Sequence, residues 1–71
     1  MNWDQIEGSW KQIKGRVRET WGDLTDDELD KIGGKRERLA GLVQQKYGVA
    51  KEEAERQIAK FERALDSSPD A

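Results

Sequence analysis

Cysteine and histidine are both absent from this 71-residue chain. Without cysteine there is no disulfide framework and no thiolate chemistry. Without histidine there is no imidazole base and no histidine metal ligand. Large apolar residues are scarce as well. Leu, Ile, Val and Phe together number 13, roughly 18% of the chain and just under the ~20% that warns of disorder. No apolar run approaches the ~18 residues of a membrane-spanning helix, so no membrane insertion is expected. The opening Met1-Asn2-Trp3-Asp4 has neither the basic nor the apolar stretch of a secretory signal, so none is expected.

What the chain has instead is charge. Asp, Glu, Lys and Arg make up 39% of it, yet the net charge is only -2, so the high-charge half of the disorder signature is missing. A domain this small buries only ~60% of its unfolded surface, and its core rarely supplies more than ~3–5 kcal/mol without a staple. Stability must therefore come from large side chains, especially Trp3, Trp10, Trp21, Tyr47 and Phe61. Each can bury ~150–250 Å². Core packing is the simplest role for all five.

The apolar spacing predicts a first helix over residues 2–21, with Asn2 as N-cap. Trp3, Ile6, Trp10, Ile13, Val17 and Trp21 fall on one stripe about 80° wide at ~100° per residue. Glu7 and Lys11 are spaced for an i,i+4 ion pair, and Gly22 stands where a left-handed C′ residue belongs. Gly8 and Gly15 lie nearly opposite the tryptophans, each costing roughly 1 kcal/mol against Ala. They read as tolerated weakness, or as a place where another molecule approaches or order is switched.

A second helix opens at Thr25, which forms a capping box with Glu28, while Leu24 and Leu29 are placed as a hydrophobic staple. Asp26, Asp27 and Glu28 suit the positive end of the helix dipole. The run Asp23 to Asp30 lacks the alternating ligands and central glycine of a calcium loop, so no metal is expected there. Gly33-Gly34 interrupts a face carried by Leu29, Ile32, Arg36, Leu39, Val43 and Tyr47, and two helices are expected rather than one kinked helix over 25–47. Arg36, within that face, is expected to pair with an acid of the second helix. Gly48 is the next C′ signal. A last helix spans 50–65, with Ala50, Ala54, Ile58, Phe61 and Leu65 on one face and a poor N-cap. The sequence thus predicts one all-α domain over 1–65, a four-helix small bundle, with 66–71 a disordered tail.

Catalysis can be tested by inventory. The hydroxyls are those of Ser9, Thr20, Thr25, Tyr47, Ser67 and Ser68, and no histidine activates any of them. The acids lie on helix starts and solvent faces, and no glycine-rich phosphate loop is present. No enzyme activity, small-molecule substrate or cofactor is expected.

The charge is unevenly spread along the chain. Residues 1–22 hold four cations against three anions, and 23–34 one against five. Residues 35–48 hold four against one, and 49–71 four against six. Lys11, Lys14 and Arg18 share one flank of the tryptophan stripe, and with Trp10 they form the candidate interaction surface. Such a flank could contact phosphates, although Asp4 and Glu7 share it and a solvated, salt-bridged face is the simpler explanation.

Several strings resemble one family. Gly8-Ser9-Trp10-Lys11-Gln12-Ile13-Lys14-Gly15, then Glu19-Thr20-Trp21-Gly22-Asp23-Leu24-Thr25-Asp26, then Gly34-Lys35-Arg36, Leu39, Gly41, Tyr47-Gly48 and Ala54-Glu55 resemble the CsbD-like family of small bacterial stress-response proteins. The resemblance covers residues 2–65. It implies a cytoplasmic bacterial protein induced by general, osmotic or stationary-phase stress. It also implies two roughly orthogonal helical hairpins similar to the SAM-domain-like fold, and it supplies no catalytic residues. Gly33 departs from the acidic residue common at that place, which argues against a continuous helix. The leading expectation is a non-enzymatic, hydrophilic stress-response protein, monomeric or weakly self-associating, that protects macromolecules or binds one partner. The alternatives are a nucleic-acid-binding module using Lys11, Lys14, Arg18 and the basic residues of the third helix, and a homo- or hetero-association module.

Overall fold

The computed structural model describes residues 2–66. Five helices follow one another: α1 (Trp3–Gly8), α2 (Trp10–Thr20), α3 (Asp26–Ile32), α4 (Arg36–Tyr47) and α5 (Lys51–Asp66). The molecule is all-helical among the described residues, with one helix more than the sequence predicts. The first helix is broken at Ser9, whose φ of -113° and ψ of 27° leave the helical region. Gly8 makes the break cheap, because glycine holds helical geometry poorly. The tryptophan stripe nevertheless runs across the break, and Ile6, Trp10, Ile13, Val17 and Trp21 are all buried.

Local signals place the other boundaries. Asn2 caps α1 by accepting from the Gln5 N–H at 2.9 Å, and Gln5 Oε1 accepts the Asn2 N–H at 3.1 Å. Thr25 and Glu28 make the same reciprocal box at α3, with bonds of 3.0 and 3.2 Å. Leu24 and Leu29 are both fully buried beside it. α3 and α4 are separate helices, since Gly33 ends α3 in the left-handed region at φ 60° and Gly48 ends α4 at φ 65°. Gly22 is different. It is not among the left-handed glycines, because α2 is stopped one residue earlier by Trp21 at φ -123°. That ring is buried and hydrogen-bonded, so it holds the chain there. α5 begins and ends one residue later than predicted, and Ala50 serves as its cap through its carbonyl alone. Asp66, assigned to the tail by the sequence, is the last residue of α5, and the rest of that predicted tail, residues 67–71, lies outside the described residues.

Gly34 has a stronger requirement than the turn itself. Its φ is +85°, and a Cβ built there would stand 2.7 Å from Glu7 Cα. The turn between α3 and α4 thus lies directly against the backbone of α1. Gly8 and Gly15, by contrast, face open space.

The core uses nearly all of the scarce apolar residues. Ten of the thirteen Leu, Ile, Val and Phe residues are buried, and Leu42, Val49 and Leu65 pack against them. Trp10, Trp21, Ala40 and Ala54 complete the buried apolar core, and among the described residues no polar or charged residue is buried. The Cα radius of gyration is 11.3 Å, close to the ~11 Å of a compact chain of this length. The chain is therefore folded despite a composition on the border of disorder.

Candidate functional site

The four residues singled out on the first stripe are brought to one side of α2, but three of them are engaged inside the molecule. Trp10 is only 8% exposed. Its indole N–H donates to the carbonyl of Leu29 at 2.8 Å, where the Gly33 N–H also donates at 3.1 Å. Lys14 pairs with Asp30 at 2.6 Å and Arg18 with Asp26 at 3.3 Å. Partner numbers fall on α3 as they rise on α2, the mark of antiparallel helices. The short bond to Asp30 raises the pKa of the Lys14 ammonium, with a smaller opposing effect of burial. Lys11 remains exposed, and it has no ion-pair partner among the described residues.

α3 is also held from its other side. Lys46 of α4 pairs with Glu28 at 2.8 Å. That ammonium and the Thr25 N–H together hold the Glu28 carboxyl below its ordinary range. Arg38 donates to the carbonyl of Lys31 at 3.3 Å. Two sequence expectations are corrected here. Arg36 has no ion pair among the described residues, and the α4 cation that meets an acid of α3 is Lys46, which lies at the end of α4 beside the start of α3. Glu7 pairs with Lys35 at 2.7 Å rather than with Lys11, because Gly34 brings the next residue against α1. The alternation of charge along the chain is thus largely complementarity between neighbouring helices. Among the described residues no group of three or more carboxylates could hold a metal ion, and no helix is long and apolar enough to cross a membrane.

A second site emerges from residues far apart in sequence. Trp21 at the end of α2, Tyr47 at the end of α4, and Gln57, Lys60, Phe61 and Ala64 of α5 line a cleft of about 480 Å³. Thr20 also lines it. Its inner surface is aromatic, since the rings of Trp21 and Phe61 lie 5.3 Å apart at an interplanar angle of 52°. The Trp21 indole N–H donates to Gln57 Oε1 at 2.9 Å, and Gln57 Nε2 donates to Glu53 at 3.0 Å. Tyr47 is 37% exposed, the large hydrophobic residue most open to solvent. Its hydroxyl oxygen accepts the Asp23 N–H at 3.0 Å. Sequence reasoning assigned Trp21, Tyr47 and Phe61 to packing and missed the cleft. The available signal was that Trp21 and Tyr47 both end their stripes, where a helix face runs out of partners.

Against this geometry, the comparisons with known proteins are decisive for family. The family model described as CsbD-like matches residues 4–56. The chain belongs to the CsbD-like family. A UPF0337 protein of Nitrosomonas europaea is 54% identical to this CsbD-like chain over 68 residues, covering 96% of the chain and 72% of the relative. A UPF0337 protein of Bordetella pertussis is 51% identical over 61 residues, covering 86% and 92%. The UPF0337 protein YjbJ of Escherichia coli is 48% identical over 62 residues, covering 87% and 90%. The matched span holds α1 from its second residue, all of α2 to α4, and residues 51–56 of α5. It therefore includes the helices clamped around α3, but of the aromatic cleft only Thr20, Trp21 and Tyr47.

Proposed function

We propose that this CsbD-like chain is a non-catalytic stress-response protein of the bacterial cytoplasm, working as a monomer that protects other macromolecules through weak surface contacts. The observation that carries this reading is the division between interior and surface. No polar or charged residue is buried among those described, whereas catalytic groups are usually desolvated and shifted toward a working pKa. Lys14 and Glu28 have displaced pKa values, and each is displaced toward the charged form by a partner on another helix. That is the signature of structural pairing. With Tyr47 as the large hydrophobic residue most open to solvent, no broad apolar patch favours a permanent interface. The two-hairpin arrangement similar to the SAM-domain-like fold belongs to the same proposal.

The test is to dry or heat a labile enzyme with this protein and with an equal mass of an inert protein. Greater survival of the enzyme with this protein supports the reading, and equal survival refutes it. Sedimentation at high concentration should show a monomer. The nucleic-acid reading loses support from the geometry, since Lys14 and Arg18 already carry carboxylate partners. Salt-dependent DNA or RNA binding at about 50 mM salt would restore it.

A further inference from the structure

We propose that the cleft between α2, α4 and α5 is a binding site for a small aromatic carboxylate. Its volume of about 480 Å³ lies within the ~300–1,000 Å³ of small-molecule sites. The inner wall is prearranged. Trp21 and Phe61 are 3% and 5% exposed, so their rings are held by the core and lose little freedom on binding. The polar edge of Trp21 is already bonded to Gln57, which is itself held by Glu53. These two rings therefore form a rigid apolar floor with no unmet donor, and the ring open to a ligand is Tyr47, at 37% exposure. A flat aromatic body can rest on that floor and pack against the exposed ring of Tyr47.

The polar groups choose the ligand's charge. Lys60 lines the cleft, has no partner among the described residues, and shares the lining with no carboxylate. Two other clefts are different: one places Glu7 beside Lys11, and the other places Glu37 and Glu55 beside Arg36 and Lys51. In a chain with more acids than bases, an aromatic cleft with an uncompensated ammonium selects an anion. Tyr47 adds a second donor, because its oxygen accepts the Asp23 N–H and its own proton has no acceptor among the described residues. A carboxylate can take the ammonium and the phenolic proton on its two oxygens. A neutral aromatic amide can accept a hydrogen bond there but lacks the charge assistance of a carboxylate, and an aromatic cation would be repelled.

The test titrates the full chain with naphthoate and with its uncharged isostere naphthamide, following amide and indole chemical shifts by NMR. The proposal expects naphthoate to bind with a roughly millimolar or tighter Kd, the scale of a fragment of this size. Shifts should concentrate at Thr20, the Trp21 indole, Tyr47, Gln57 and Phe61. Lys60→Gln, at an exposed position, should weaken naphthoate by about three- to fivefold and naphthamide by clearly less. Ala64→Phe, which fills the cleft from an exposed position, should abolish binding of both, with unperturbed shifts elsewhere confirming the fold. The proposal is overturned by no saturable shift up to about 10 mM naphthoate, by equal affinity for the amide, by shifts centred on another face, or by either variant binding as the parent does.

Discussion

The indole N–H of Trp10 reaches the Leu29 carbonyl, and that of Trp21 reaches Gln57. The Trp3 indole nitrogen is buried without a partner among the described residues. Three residues that look equivalent on a helical stripe therefore differ in what they contribute. Trp10→Phe removes a buried bond and leaves the Leu29 carbonyl with the Gly33 N–H as its remaining donor. It should cost about 1–3 kcal/mol more than Trp3→Phe, where no bond is lost. Urea unfolding of the two variants measures the difference. The glycines separate in the same way. Gly15 sits in the interior of α2 with open space where a Cβ would go, so Gly15→Ala should stabilise by about 0.5–1 kcal/mol. Gly34→Ala should destabilise by at least about 1 kcal/mol, from the left-handed backbone alone, and by more from the approach to Glu7 Cα. Stabilisation by Gly34→Ala would contradict the seating of this turn on α1.

Among elements, α3 is the short helix that depends most on its neighbours. Its seven residues are too few to be stable alone, since isolated helices below ~12–15 residues are marginal in water. It is held by its capping box, by the burial of Leu29 and Ile32, and by cations from the helices on either side. Thr25→Ala should therefore cost about 1 kcal/mol, read as a lowered urea midpoint with an unchanged slope. The boundaries of α3 were legible because capping chemistry is local: Thr25, Glu28 and Gly33 act within a few residues. The break at Ser9 was not. It arises where α1 meets the turn at Gly34, a contact between residues 27 apart in sequence. Gly8 permits the break, and the packing uses it.

At the scale of the molecule, the charged surface makes stability depend on pH and salt in stated directions. Glu28 has its pKa lowered in the fold, so the unfolded chain takes up that proton first as pH falls. Its contribution is present above the ordinary carboxyl value of 4.5 and is lost as pH drops through the lowered one. Thermal melts of Glu28→Gln and the parent should therefore converge in acid and separate toward neutral pH. Lys14 has the opposite sign. Its raised pKa gives a contribution that is full below 10.5 and is lost as pH rises through the higher folded value. Because the pairs around α3 lie at the surface, within reach of solvent ions, added salt should weaken them modestly. A parent protein whose melting temperature held constant from low salt to about 1 M would count against these pairs contributing.

Stripes, caps and charge blocks are properties of neighbours along the chain, and for that reason the all-helical class, the Asn2 cap, the Thr25–Glu28 capping box, the division between α3 and α4, and nearly all of the core could be read from residue order. The family could also be read there, since its strings are contiguous. Which cation meets which carboxylate could not. Lys14, Arg18 and Lys46 carry the same kind of charge as Lys11 and Arg36, and only the antiparallel packing of α2 and α4 against α3 distinguishes them. The aromatic cleft belongs to the same class, because Trp21, Tyr47 and Phe61 each end or join a different stripe. Their convergence depends on where three helices stop relative to one another, a relation that spacing within any single helix does not contain.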